Sequence, residues 1–176
     1  MLVLPADFNN ALLIFRLAID EDAPVIFPTD TIYAIGAPIC SISANEKIFE
    51  IKKRERNKPF PILIGEARQA DGIITEGEYR WRACTTYIRN AARELSDIYK
   101  LDGRAAVRLV KNGWLGKTLR TVGALTATSV NIANNPPLIK AEDIFTAFDG
   151  IAPYMLWGES GNTPSTIIGL DGEKIR

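Results

Sequence analysis

The chain has 176 residues, enough for one domain with a sizeable core, and its 47% hydrophobic and 24% charged residues are ordinary for a globular protein. Its 21 basic and 21 acidic side chains sum to a formal net charge of zero, which excludes a globally basic nucleic-acid binder. It has no histidine, which excludes a histidine triad, an HExxH zinc site and any histidine general base.

Asp7 can cap a first helix, in which Phe8, Ala11, Leu12, Phe15 and Ile19 recur at helical spacing. The apolar stretch over 11–19 is interrupted by Arg16 and preceded by acidic Asp7, where a signal peptide carries positive charge. No apolar run reaches the roughly 20 residues that span a bilayer. The expectation is an unexported, cytoplasmic protein with no membrane segment. Val25, Ile26 and Phe27 read as a short buried strand stopped by Pro28. Ser43 with Glu46 has capping-box spacing for a second helix with a stripe of Ala44, Ile48 and Ile51, running into Lys52, Lys53 and Arg54 and ended by Pro59. Residues 61–64 are a strand candidate, and 66–102 read as mostly helical with breaks. Residues 105–110 read as a strand with Arg108 on the face opposite Val107 and Leu109. A helix over 114–122, a strand over 125–128, a helix over 141–148 and strands over 154–157 and 165–170 complete the chain. The alternation favours a mixed α/β sheet.

The two cysteines, Cys40 and Cys84, lie far apart without CxxC spacing. They are expected to be buried free thiols, with no protein-borne metal site. The zero net charge hides two basic segments. Residues 103–141 carry Arg104, Arg108, Lys111, Lys117, Arg120 and Lys140 and no acid. Residues 47–58 carry six bases against two acids. Brought together in one domain, they suggest an anion site, with phosphate as the usual client of Arg forks and Lys point charges. Individually, they also suit solvated faces, and Lys52, Lys53 and Arg54 suit a helix C-terminus.

Three stretches carry more information. Pro28-Thr29-Asp30-Thr31-Ile32-Tyr33-Ala34-Ile35-Gly36 ends a strand and flanks a carboxylate with hydroxyls. Lys52-x-Arg54 precedes Lys58-Pro59, and Thr128-Ser129-Val130-Asn131 precedes Pro136-Pro137. Each alone is a turn or a ligand contact. With Val107-Arg108 and Ser165-Thr166-Ile167-Ile168, and in this order, they resemble the YrdC-like threonylcarbamoyl-AMP synthase family over nearly the whole chain. The resemblance implies one domain over 1–176, a twisted mixed open α/β sheet with helices enclosing a positively charged concave cavity. It implies synthesis of threonylcarbamoyl-AMP and pyrophosphate from L-threonine, bicarbonate and ATP, with Mg²⁺ bound through the ATP phosphates. The product feeds threonylcarbamoylation of adenosine 37 in tRNA, so tRNA or downstream tRNA-modification proteins are implied partners.

Carried over by position, Thr31, Arg108 and Ser129 would hold threonine. Lys52, Arg54, Lys58, Asn131, Ser165 and Arg176 would hold ATP, with Lys52 and Arg54 as the catalytic pair. The chain departs from the family pattern at Ala34, Ala127, Ala133, Asn134 and Arg104, and at Trp81-Arg82-Ala83-Cys84-Thr85-Thr86, where a Pro-Gly-Pro turn is lost. These departures keep two alternatives open. One is a ligand-shifted, YciO-like paralogue that binds RNA or a nucleotide in the same basic cavity. The other is an unrelated α/β enzyme with a basic pocket.

Overall fold

The structure, a computed structural model, describes residues 1–75, 80–132 and 135–176. The first half contains β1 (Leu2–Pro5), α1 (Phe8–Asp20), β2 (Val25–Phe27), β3 (Ala34–Gly36), α2 (Ile42–Lys52) and β4 (Ile62–Ile64). The second contains β5 (Thr85–Asn90), β6 (Arg104–Leu109), α3 (Gly113–Val122), β7 (Leu125–Thr126), β8 (Thr128–Ser129), α4 (Ala141–Phe148), β9 (Tyr154–Trp157) and β10 (Thr166–Ile168). This is the single-domain α/β architecture expected, with mixed parallel and antiparallel pairing. No helix among the described residues is long and apolar enough to cross a membrane.

The strands form two five-stranded ladders, ordered β1-β9-β2-β3-β8 and β10-β5-β6-β4-β7. One short run ties them together. β7 pairs antiparallel with β4, and β8, one residue later, pairs antiparallel with β3. The stretch expected as one strand therefore crosses between the sheets. Thr126 donates its backbone N–H to Ala37 O at 2.8 Å, and Ala37 N–H donates to Thr126 Oγ1 at 3.1 Å. The sheets approach closely because of Gly36, where an added Cβ would lie 1.8 Å from the Thr126 carbonyl oxygen.

The helices cover the sheets with their apolar stripes. Asp7 caps α1 as expected, accepting the Asn10 N–H at 2.9 Å. Ala11, Ile14, Phe15 and Ala18 are its buried face, which packs with Leu115 and Leu119 of α3. Phe15 meets Phe27 edge-on at 5.6 Å between ring centroids. Ile19 falls outside that face and is exposed. A second core joins α2 and α4 through Ile48, Phe49, Phe60, Ile144 and Phe148, and a third lies under the second sheet around Ile73, Tyr99 and Val107.

Three further sequence expectations change. The cap of α2 is Ser41, not Ser43: its Oγ accepts the Ala44 N–H at 3.2 Å and donates to Asp22 Oδ1 at 2.5 Å. Glu46 cannot complete a capping box because it pairs with Arg56. Residues 66–102 are not mostly helical. Their described part holds two short 3₁₀ turns, Ala67–Ala70 and Asp97–Tyr99, and strand β5, where β-branched Thr85, Thr86 and Ile88 with Tyr87 favour the pleat. Cys40 and Cys84 are both exposed, not buried. Strands β1 and β3 were not foreseen.

Candidate functional site

A cavity of about 530 Å³ lies where the two sheets meet. Its walls come from both: Ala34, Thr128 and Ser129 from the first, Leu63, Thr86, Arg108 and Ile167 from the second. Among the described residues five cations line it, Arg54, Lys58, Arg104, Arg108 and Arg176, against the single carboxylate side chain of Asp102. The two basic segments do converge here, but only in part. Lys111, Lys117 and Lys140 do not line the cavity. Arg120 is used in packing, donating to Gly65 O at 3.1 Å and Lys111 O at 3.0 Å.

Arg108 is the buried cation of the site, 5% exposed. It sits there because β6 alternates: Val107 and Leu109 join the core under the sheet, and Arg108 faces the other way. Its Nη1 donates to Thr31 Oγ1 at 2.5 Å, and its Nη2 lies 3.3 Å from Asp30 Oδ1. Burial lowers its pKa, and the Asp30 carboxylate opposes that shift. Nε is buried without a hydrogen-bond partner, so the guanidinium keeps donor capacity for a carboxylate.

The proton on Thr31 can be placed. Thr29 donates its hydroxyl proton to Ile32 O at 2.7 Å while its Oγ1 accepts the Thr31 N–H at 3.1 Å. In the 2.9 Å contact between the two hydroxyls, Thr31 is therefore the donor. Thr31 Oγ1 thus points an acceptor, not a donor, at its surroundings. The segment around Gly161 holds this turn in place. Gly161 donates its N–H to Thr29 O at 3.1 Å, and a Cβ there would lie 2.3 Å from Thr31 O and 2.6 Å from Asp30 O. Tyr33 OH donates to Gly158 O at 2.6 Å from the other end of the turn. Gly161→Ala is expected to displace the Thr29–Thr31 turn and lower the thermal unfolding midpoint by several degrees, which differential scanning calorimetry checks.

The other cations are more exposed. Arg54 Nε donates to Lys58 O at 2.6 Å, and its guanidinium lies over the Phe60 ring at 5.3 Å. Lys58 pairs with Glu55 at 3.0 Å. Arg176 is fixed by Ile167 N–H donating to its carbonyl at 2.9 Å and by its own Nε donating to Ser165 O at 3.2 Å. Ser165 Oγ meets Thr86 Oγ1 at 2.9 Å. Arg104 follows a tight turn with positive φ at Asp102 and Gly103, closed by reciprocal backbone bonds to Leu101 of 2.9 Å each. Its guanidinium has no hydrogen-bond or ion-pair partner among the described residues.

Of the residues expected in the site, Thr31, Arg54, Lys58, Arg108, Ser129, Ser165 and Arg176 line the cavity. Lys52 and Asn131 lie behind Ser129. Lys52 is 2% exposed, and its Nζ donates to Asn131 Oδ1 at 2.6 Å, Asn131 O at 3.0 Å and Ser129 O. Among the departures, Ala34, Ala127 and Arg104 line the cavity, while Ala133 and Asn134 lie outside the described residues. Sequence reasoning missed the Asp30 ion pair, Thr86 and Gly161. Asp30 was visible in the Thr-Asp-Thr run, but nothing local indicated a partner 78 residues away. Among the described residues no cluster of three or more His, Cys, Asp or Glu side chains could hold a metal.

The geometry suits a ligand with a carboxylate at the buried guanidinium and an anionic chain along the outer cations. A family model described as telomere recombination, for Sua5, YciO and YrdC proteins, matches residues 17–176. The chain belongs to the Sua5/YciO/YrdC family. Within it, a Mycobacterium tuberculosis protein provisionally named a threonylcarbamoyl-AMP synthase is 29% identical, the match covering 90% of this chain and 78% of that protein. The solved structure of P. abyssi Sua5 complexed with L-threonine superposes with a TM-score of 0.80 at 22% identity over 97% of this chain, and E. coli YciO with 0.77 at 17% identity over 98%. The chain spans 55% of that Sua5 chain and 94% of YciO. At these identities the two structures establish the shared fold of the Sua5/YciO/YrdC domain.

Proposed function

We propose that this chain is an L-threonylcarbamoyladenylate synthase, a cytoplasmic nucleotidyltransferase that makes threonylcarbamoyl-AMP and pyrophosphate from L-threonine, bicarbonate and ATP. One observation carries the reading: a single cavity joins a buried, incompletely paired guanidinium at Arg108 to four outer cations, Arg54, Lys58, Arg104 and Arg176. Its volume of about 530 Å³ lies within the range of small-molecule sites. The likeness to proteins named for this activity and to a Sua5 seen with L-threonine supports it.

The residues divide the work. Arg108 takes the threonine carboxylate, and the acceptor oxygens of Thr31 and Ser129 take its N–H or O–H donors. The threonine nitrogen attacks bicarbonate carbon, water leaves, and a carbamate forms. A carbamate oxygen then attacks the α-phosphorus of ATP. The bond from that phosphorus to the bridging oxygen breaks, and pyrophosphate carries the electron pair away. Arg54, Lys58 and Arg104 offset the charge that grows on the leaving group, so catalysis here is positioning and electrostatics without a histidine. The donor set fits a Mg²⁺ that arrives on the ATP phosphates, which would neutralise part of their charge; among the described residues Asp102 is the one carboxylate side chain lining the cavity. The product would pass to the machinery that modifies adenosine 37 of tRNA.

Purified protein given labelled bicarbonate, L-threonine, ATP and Mg²⁺ is expected to form labelled threonylcarbamoyl-AMP and equimolar pyrophosphate. No product from protein shown to be folded overturns the assignment. A second reading, a YciO-like paralogue that binds nucleotide or RNA without turnover, is favoured by one observation. The Lys52 ammonium, assigned to catalysis by the resemblance, is held on the Ser129–Asn131 turn and does not line the cavity. Under that reading RNA is retained at low salt and released steeply as salt rises.

A further inference from the structure

Lys52 is a buried ammonium with no carboxylate among its hydrogen-bond partners. Its three contacts all fall on one turn, 77 to 79 residues away in sequence: Ser129 O, Asn131 O and Asn131 Oδ1. An ammonium has three protons and accepts nothing, so all of its donors are committed. Three oxygens converging on one point repel each other, and a cation at that point removes the repulsion. The contact to Asn131 Oδ1 also fixes which way the amide faces. Its Nδ2 must point outward, where it donates to Asn135 O at 2.7 Å. Oδ1 then receives a second proton, from Ser129 Oγ at 2.7 Å. Ser129 has only one proton to give. With that proton turned to Asn131, the Ser129 oxygen shows lone pairs to the cavity it lines.

We propose that Lys52 is a positioning residue that makes Ser129 an acceptor: through Asn131 it turns the Ser129 proton away from the cavity and leaves the oxygen for an N–H or O–H of the bound amino acid. This rests on the reading of the buried end as an amino-acid site. Thr31 shows the same polarity, since its proton goes to Thr29. Two acceptor hydroxyls and the Arg108 guanidinium then match an α-amino acid, whose carboxylate accepts and whose amine and side-chain hydroxyl donate. The same polarity repels phosphate oxygens, which have no protons to offer. It assigns the polyphosphate to the Arg54, Lys58 and Arg104 side, with no direct contact from Lys52.

Two variants and two ligands test this. Lys52→Met removes the ammonium at similar volume, and Asn131→Ala leaves Lys52 in place but frees the Ser129 proton. By calorimetry at pH 6, where Lys52 keeps its third proton, L-threonine is expected to bind at least about tenfold more weakly to both. Tripolyphosphate is expected to bind each within about twofold of the wild-type chain, which a lysine in direct contact with phosphate would not allow. Loss of tripolyphosphate affinity in Lys52→Met, or unchanged L-threonine affinity in both variants, overturns the proposal. Should the wild-type chain bind no L-threonine, the amino-acid reading fails by itself, and hydrogen exchange decides the positioning claim. Faster exchange confined to 128–132 in Lys52→Met supports it, and unchanged exchange there overturns it. Asn131→Ala keeps the test open if Lys52→Met does not fold.

Discussion

Arg108→Ala is expected to abolish L-threonine binding while leaving tripolyphosphate binding nearly unchanged, and Arg54→Ala is expected to do the reverse. The guanidinium of Arg108 is 5% exposed, touches Thr31 and Asp30, and has a buried Nε with no partner. A carboxylate docked there gains charge-assisted bonds away from water. Truncating one partner of such a buried pair costs about 2–5 kcal/mol, or roughly thirtyfold to several thousandfold in affinity. The variant also leaves Asp30 without its cation, so a drop in thermal stability accompanies the loss. Arg108→Lys keeps the charge but not the planar fork, and should recover only part of the affinity. Arg54 lies on the other wall, braced by Lys58 O and Pro59 O. Calorimetry with each ligand on each variant checks the division. Equal losses on both ligands would show that the cavity does not separate carboxylate from phosphate.

The second large effect concerns stability and pH. Burial, with a smaller contribution from Arg54, lowers the pKa of Lys52 to about 7. In the unfolded chain an ordinary lysine titrates near 10.4. Between these values the unfolded state binds the extra proton, so folding is favoured more as the pH rises. The folded protein is therefore expected to gain stability from pH 7 to pH 9, by a few kcal/mol at most, at about 1.4 kcal/mol per pH unit. Below about pH 7 Lys52 is protonated in both states and the contribution is flat. Cys84 and the buried tyrosines have raised pKa values, so their effect has the opposite sign and begins near or above pH 9. Urea unfolding at pH 6, 7, 8 and 9 reads the slope directly. Lys52→Met cannot titrate and should lose it; an equal slope in the variant would assign the gain to another group.

Much of the site was legible because its residues sit where local rules put them. Arg108 alternates with two core residues in a strand, which fixes its face before any tertiary contact is known. The Thr-Asp-Thr run directly follows a buried strand, which marks it as a turn at a sheet end. Lys52 and Asn131 were legible as motif residues, but not the contact between them. Whether a lysine at a helix end meets phosphate or carbonyl oxygen depends on what packs over it, and here that is a turn 77 residues later. The 66–102 stretch misled for a related reason. Its apolar residues are shared among a strand, two short turns and the third core cluster, so no single period runs through them.

The convergence of two basic segments on one cavity was visible in a chain of zero net charge, but only as a suggestion. The sequence by itself determined the class of the fold, the order of most elements, the absence of histidine chemistry and the identity of the cations. Those follow from composition, periodicity and motif order, which act over a few residues. The tertiary structure decided which cations face the cavity, which are consumed in packing as Arg120 and Lys52 are, and which way the hydroxyl protons of Thr31 and Ser129 point. Each of those depends on an acceptor supplied by a distant segment, and a hydrogen bond exists only once folding brings its two ends within about 3 Å.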